Sequence, residues 1–150
     1  MAIATFGAGC FWSVEETFAA VEGVTDTQVG YMGGATEDPD DAAVATGETG
    51  HAEVVQVEYD PERVSYRELL AVFWASHDPT TPDQQGADIG PEYRSVIFVH
   101  TDAQEDAAEA SREAEELSGR HADEIVTEIC PADRFWVAAP EHQGYLARNR

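Results

Sequence analysis

The sequence predicts an α+β domain, and three observations carry that expectation. Residues 52–60 alternate, with Val55, Val57 and Tyr59 on one side and Gln56 and Glu58 on the other, the period of a half-buried strand. Ser13 with Glu16 and Ser65 with Glu68 are capping-box pairs that open helical patterns. Ser95 to His100 is a near-continuous apolar run of the kind that fills a central strand.

Taken in order, residues 2–7 read as a short strand running into Gly7. Residues 13–22 read as a helix with Val14, Phe18 and Val21 on one face and Glu15, Glu16 and Glu22 elsewhere. Val24 to Tyr31 reads as a strand that ends in Gly33-Gly34. Residues 35–51 are acidic and irregular, a loop long for a compact domain, and such loops are usually functional or disordered. Strand 52–60 stops at Asp60-Pro61. The second helix runs from Ser65 to about His77 with Leu69, Leu70, Val72 and Phe73 inward. Residues 78–94, with Pro79, Pro82, Pro91, Gly86 and Gly90, form a second long loop. Asp102 with Glu105 starts a helix to about Leu117 that ends at Gly119, its inner stripe mostly alanine. Residues 124–130 read as a strand, and Pro140 to Arg150 as a tail with a short helical segment. The order is β-α-β-β-α-β-α-β. The β-α-β-β-α-β unit within it makes a ferredoxin-like plait, with helices on one face of an antiparallel-containing sheet.

A length of 150 residues gives one domain, 1–150, with room for a real core. Thirty acidic residues oppose eight basic ones, all arginine, for a formal net charge of −22. Phosphate contacts need positive charge, so nucleic-acid binding is disfavoured. An apolar fraction of 43% with clear strand and helix patterns rejects an acidic disordered segment. The remaining reading is a folded protein kept soluble by self-repulsion and suited to concentrated salt, as in a halophile. Cys10 and Cys130 cannot make a disulfide scaffold, and neither has a metal-ligand spacing, so no metal site is expected. The N-terminus has no signal-peptide pattern and no apolar run reaches membrane length, so a cytoplasmic protein without a membrane partner is expected.

The chain is organised around residues 7–16, Gly-Ala-Gly-Cys-Phe-Trp-Ser-Val-Glu-Glu. A helix starting near Ser13 sets Cys10, Phe11 and Trp12 at or beside its N-terminus. Unpaired N–H groups there favour an anion, so a thiol in that place is expected to have a lowered pKa and to form the nucleophilic thiolate. Cys10 also has a bland reading as a buried, inert cysteine, since free cysteine is among the most buried residue types. The glycines, the helix start and the adjacent aromatics shift the balance towards a nucleophile.

Gly9-Cys10-Phe11-Trp12 resembles the signature of the A-type peptide methionine sulfoxide reductases. Further blocks resemble that family in the family's order: Gly30-Tyr31-Met32-Gly33-Gly34, Thr49-Gly50-His51-Ala52-Glu53, Phe73-Trp74 with His77-Asp78-Pro79, Gln85-Gly86-Ala87-Asp88, Glu92-Tyr93-Arg94-Ser95, and His142-Gln143 with Tyr145-Leu146. The resemblance spans Phe6 to about Asn149. It implies an elaborated plait with the two long loops over the active site, and an oxidoreductase that reduces methionine S-sulfoxide, free or in proteins, in the repair of oxidative damage. Cys10 would attack the sulfoxide sulfur, and Glu53 would supply the proton from a carboxyl kept neutral by an apolar pocket. Phe11 and Trp12 would hold the substrate methyl group. Tyr93 would donate its hydroxyl to the oxygen, and Asp88 would orient the polar network. No bound cofactor is implied, only an external thiol, thioredoxin or a low-molecular-weight thiol, that removes a Cys10 sulfenic acid. The protein is expected to be a monomer.

Two departures from the family stand out. Where the family commonly has an oxygen-binding tyrosine, this chain has Asp41. The chain also reaches Arg150 without the recycling cysteines found in many members' tails. Cys130 does not match those positions and is read as a buried strand cysteine rather than a resolving one. Two other readings stay open on the residues alone. One is a cysteine hydrolase or acyltransferase, which needs a histidine base beside Cys10. The other is an interaction module with Cys10 inert, which slow alkylation would reveal.

Overall fold

The computed structural model describes residues 1–149. Among the described residues eight strands form: β1 (Ala2–Ala8), β2 (Val24–Met32), β3 (Ala52–Tyr59), β4 (Gln84–Gln85), β5 (Asp88–Ile89), β6 (Ser95–Val99), β7 (Glu128–Pro131) and β8 (Trp136–Val137). The α-helices among them are α1 (Phe11–Ala19), α2 (Asp41–Ala45), α3 (Tyr66–Ser76), α4 (Asp102–Leu117) and α5 (Tyr145–Arg148). Six strands make one sheet in the order β7-β6-β1-β3-β2-β8, and β4 and β5 pair separately. The inner four, β6-β1-β3-β2, are antiparallel and have the strand order of the plait; β7 is added parallel to β6, and β8 antiparallel to β2.

The side-chain period of two divides the sheet faces. Phe6 of β1, Val55 and Val57 of β3 and Ile97 of β6 lie under the helices, with Phe6 stacked on Phe18 at 4.9 Å and close to Phe73 at 5.3 Å. Met32, Val54, Val96 and Phe98 form a smaller cluster on the other face, packed against Cys130, Ala132 and Phe135.

Local rules place some boundaries and tertiary partners move others. Ser65 and Glu68 make both bonds of the capping box that opens α3. Helix α4 is instead capped by Thr101, one residue before the expected start, whose hydroxyl accepts from the Gln104 N–H. Its inner stripe includes the buried polar side chains Gln104 and Glu115 as well as Ala108. The expected strand 124–130 is shorter and later. Its first N–H groups are taken elsewhere, Ile125 by Glu116 and Val126 by the Pro79 carbonyl, so only 128–131 joins the sheet. The two-residue strand β8 carries no readable alternation, and the sequence missed it. Each long loop contains short elements: α2 in the first, and the β4–β5 hairpin and a 3-10 turn (Pro91–Tyr93) in the second.

The ends of β1 and β2 and the starts of β3 and β6 share one end of the sheet, because each neighbouring pair is antiparallel. Both long loops therefore cover that end, as expected. The tail returns to the sheet as well. The Gln143 side chain accepts from the Val29 N–H and donates to the Val29 carbonyl, standing in for a strand partner beside β8.

Gly30 is where β8 seats on β2, and an added Cβ would lie 2.2 Å from the Trp136 carbonyl oxygen. Gly30→Ala must push β8 away and is expected to cost about 2 kcal/mol, the usual scale for an overpacked site. Urea unfolding in high salt measures it; a loss below about 0.5 kcal/mol, the scale of an ordinary surface change, contradicts this seating.

Candidate active site

Cys10 itself is the N-cap of α1, which begins at Phe11, two residues before the expected start. Ser13 does not cap the helix: its hydroxyl donates to the Cys10 carbonyl at 3.1 Å. The turn into this position needs Gly9, whose φ is +96° and where a Cβ would meet the Gln85 side chain at 2.8 Å.

Cys10 is half-buried. Burial pushes its thiol up, and the Trp12 and Ser13 N–H groups pull it down by less. The Glu53 and Asp88 carboxylates add to the upward push. The resting thiol therefore lies above its ordinary pKa, which corrects the expectation of a lowered one. The helix N–H groups are present as expected, but desolvation and two acids outweigh them.

Glu53 lies near the start of β3 on the helix face, 7% exposed. The Phe11 N–H donates to its Oε1 at 3.2 Å. Burial raises its carboxyl to about 7 against the pull of that N–H, and Asp41, Glu92 and Asp88 add repulsion. The Glu53 charge acts on Cys10. A proton on Glu53 removes one of the charges that oppose the thiolate, so the pairing of a thiolate with a neutral acid is favoured over two anions.

Tyr93 ends the 3-10 turn and is half-buried. Its hydroxyl is pushed up to about 12 by burial and by the charges of Glu53, Asp88, Glu92 and Cys10, so it stays a donor. Asp88 is exposed on β5, and its charge acts on Cys10, Glu53 and Tyr93 together. Phe11 is buried, with its ring 5.6 Å from Tyr31 and 5.5 Å from His142. Trp12 stacks on Tyr145 at 3.8 Å and donates its Nε1–H to His142 Nδ1 at 3.1 Å. These contacts make an aromatic wall next to the thiol.

The structure brings Cys10, Phe11, Trp12, Glu53, Asp88 and Tyr93 into one neighbourhood and leaves Cys130 outside it. Cys130 pairs with Phe98, which faces Thr5 across β6 and β1, and it packs on the opposite face. Strand spacing and rise put the two cysteines at least ~14 Å apart, beyond the ~7 Å Cα limit for a disulfide. Among the described residues no group of His, Cys, Asp and Glu could hold a metal ion.

Several neighbours were not read from sequence. Tyr31 is fully buried and its hydroxyl donates to Asp41 at 3.4 Å; its place on the inner face of β2 was the available signal. His142, given no role from the sequence, contacts Phe11 and Trp12 and lies 3.9 Å from Asp41. Asp41 is therefore part of this neighbourhood. Glu15, read off the apolar face of this helix, is buried: it accepts from the Gly144 N–H at 2.7 Å and from the Thr27 hydroxyl at 2.9 Å, fixing the tail against α1. Spacing alone carries no sign of these long-range contacts. His51, beside Glu53 in sequence, serves the loop: its Nδ1 accepts from the Gly34 N–H and its Nε2 lies 2.7 Å from the Thr36 carbonyl.

A thiol at a helix start, a buried acid raised to about 7 and a tyrosine hydroxyl thus stand in one neighbourhood. Comparison with known proteins places the chain in a family. The family model for peptide methionine sulfoxide reductase matches residues 2–150. Peptide methionine sulfoxide reductase MsrA of Methanoculleus marisnigri is 61% identical over 146 residues, covering 97% of this chain and 89% of that protein. The crystal structure of Mxr1 from Saccharomyces cerevisiae in reduced form superposes with a TM-score of 0.90 at 35% identity, covering 99% of this chain and 85% of that one. Mxr1 in complex with Trx2 matches with a TM-score of 0.64 at 31% identity, over 96% and 84% of the two chains. The chain belongs to the peptide methionine sulfoxide reductase family, oxidoreductases that reduce methionine sulfoxide.

The raised carboxyl of Glu53 has a stability consequence. The native state holds this proton up to about pH 7, whereas the unfolded chain releases it near 4.5, so the native state loses stability as pH rises through that window. Glu53→Gln keeps an acceptor for the Phe11 N–H and removes the ionisation. It is expected to stabilise the protein at pH 8 by up to about 3 kcal/mol, with the difference vanishing near pH 4. Denaturant titration at both pH values checks this; equal stability at pH 8 contradicts a carboxyl raised by burial.

Proposed function

We propose that Cys10 and Glu53 carry the reduction, and the observation that supports this most is the buried Glu53 carboxyl, bonded to the residue that follows Cys10. The Cys10 thiolate attacks the sulfoxide sulfur while the Glu53 carboxyl gives its proton to the sulfoxide oxygen. The oxygen passes to Sγ as the sulfide leaves, so Cys10 becomes a sulfenic acid, methionine forms and Glu53 is left ionised. The cysteine sulfur loses two electrons and the substrate sulfur gains them. Tyr93 donates a hydrogen bond to the oxygen, Asp88 orients the polar side of the site, and Phe11 and Trp12 hold the methyl group. The resting thiol is raised, so the attacking thiolate is favoured when Glu53 is protonated and its charge is gone.

One external thiol then condenses with the sulfenic acid, forming a mixed disulfide and water, and a second thiol releases Cys10. The distance between Cys10 and Cys130 supports an external reductant, and the relative solved in complex with Trx2 supports a thioredoxin-like one, with small thiols as the alternative. The substrate is the S epimer of methionine sulfoxide, free or in proteins, and the role is repair. Among the described residues no helix is long and apolar enough to cross a membrane; action in the cytoplasm is part of the proposal. The net charge of −22 supports a monomer adapted to concentrated salt, in which counter-ions screen self-repulsion.

Single-turnover reduction of a methionine sulfoxide mixture without added thiol, in molar salt and in dilute buffer, tests the reading. Expected are one methionine per chain, loss of the S epimer only, Cys10 oxidised and Cys130 still free. The rate is expected to fall as pH rises above about 7, where Glu53 loses its proton, and activity to decline in dilute buffer. Loss of both thiols, a Glu53→Gln variant at full rate, or full stability and activity without salt each removes the corresponding part.

A further inference from the structure

We infer that Arg94 is a positioning residue, whose guanidinium sets the acid and the tyrosine donor at their working separation. The inference rests on the assignment of Glu53 and Tyr93 above. Arg94 follows Tyr93 directly and has its side chain on the sheet face opposite the helices, in step with Val96 and Phe98. Only 17% of that side chain is exposed, in a protein with eight cationic residues. Three of its donors are committed. Nη2 donates to the Gly50 carbonyl at 3.0 Å, Nη1 to the Pro91 carbonyl at 2.8 Å, and Nε to Glu128 Oε1 at 2.9 Å.

Those three acceptors belong to separate parts of the site's frame. Gly50 is at the exit of the first long loop, three residues before Glu53. Pro91 opens the 3-10 turn that ends at Tyr93. Glu128 starts β7 and anchors the guanidinium plane from the sheet edge. The neck of the first loop is already closed on itself, by the Ala35 N–H to the Thr49 carbonyl and by His51 between Gly34 and Thr36. What Arg94 adds is the tie between that neck and the second loop. A planar fork fixes the angle between its acceptors; an ammonium on a flexible stem does not. Arg94 touches neither substrate nor reacting atoms in this account and acts through Glu53 and Tyr93.

The test compares Arg94→Lys, Arg94→Met, Glu128→Gln and Glu53→Gln with the parent in molar salt. Single-turnover rates are taken across pH 5–9, steady-state KM is measured with dithiothreitol as reductant, and melting curves normalise for folded fraction. Arg94→Lys and Arg94→Met are expected to slow the chemical step ten- to hundred-fold per folded molecule. KM should change less than three-fold, and the basic limb of the pH profile should move, because Glu53 no longer sits at its set distance from the other charges. Lysine is expected not to rescue. Glu128→Gln keeps both carbonyl bonds and frees only the plane; it is expected to slow the step three- to ten-fold with the limb moving in the same direction, and it decides the matter if the Arg94 variants do not fold. Rates within two-fold of the parent with an unmoved limb, in any folded Arg94 variant or in Glu128→Gln, overturn the inference. A fully active Glu53→Gln instead overturns the assignment on which it rests.

Discussion

The N–H of Phe11, given to Glu53 Oε1 across 3.2 Å, joins the start of α1 to the start of β3, and the site depends on that union. The donor is available because the first N–H groups of a helix have no partner within it. The acceptor is within reach because β1 and β3 are antiparallel neighbours, with Phe6 opposite Val55, so the end of one strand meets the beginning of the other. Strand register is what puts Glu53 on the helix face; a slip of one residue would turn it towards Met32 and Phe98. Packing of Phe6 against Phe18 and Phe73 holds the register, so core and chemistry share one constraint.

The chain carries a large excess of acid, yet the acids inside it are used differently from those outside. Glu15 is satisfied by the Gly144 N–H and the Thr27 hydroxyl, and through them it holds the tail that backs Trp12. Glu115 is satisfied by Arg120 and His121. Glu53 has its carboxyl raised chiefly by burial, which the one Phe11 N–H does not offset, and the charges of Asp41, Glu92 and Asp88 add to the push. Asp88 and Glu53 itself oppose the Cys10 thiolate. Burial and like charge therefore make both groups of the site hold their protons more tightly than in water, and a proton on Glu53 removes one of the charges that oppose the thiolate.

Much of this frame was legible in the sequence because it is set locally. The capping box at Ser65 and Glu68, the alternation of β3 and the apolar run of β6 are features of neighbouring residues, and each appears where it was read. The family blocks led to Cys10, Glu53, Asp88 and Tyr93, which the plait gathers at one end of the sheet. What failed depended on distant partners. Ser13 and Glu16 carry the spacing of a capping box, but the turn at Gly9 lets Cys10 take the cap. Residues 124–127 have strand-like composition, but a helix carboxylate and a loop carbonyl capture two of their N–H groups. His142 and Tyr145 reach Trp12 only because Glu15 and Gln143 fold the tail back, contacts separated by more than a hundred residues. The thiol's raised pKa likewise follows from burial and from charges that sequence order does not place together.

The central claim is that Glu53 keeps its proton near neutrality beside Cys10. Carbon-13 NMR titration of glutamate-labelled protein in high salt, with Glu53→Gln to assign the signal, tests it most directly. The account predicts one glutamate carboxyl carbon titrating near pH 7, absent from the variant. If every glutamate carboxyl titrates below about 5, in the ordinary range for glutamate, Glu53 is ionised at neutral pH and the account is contradicted.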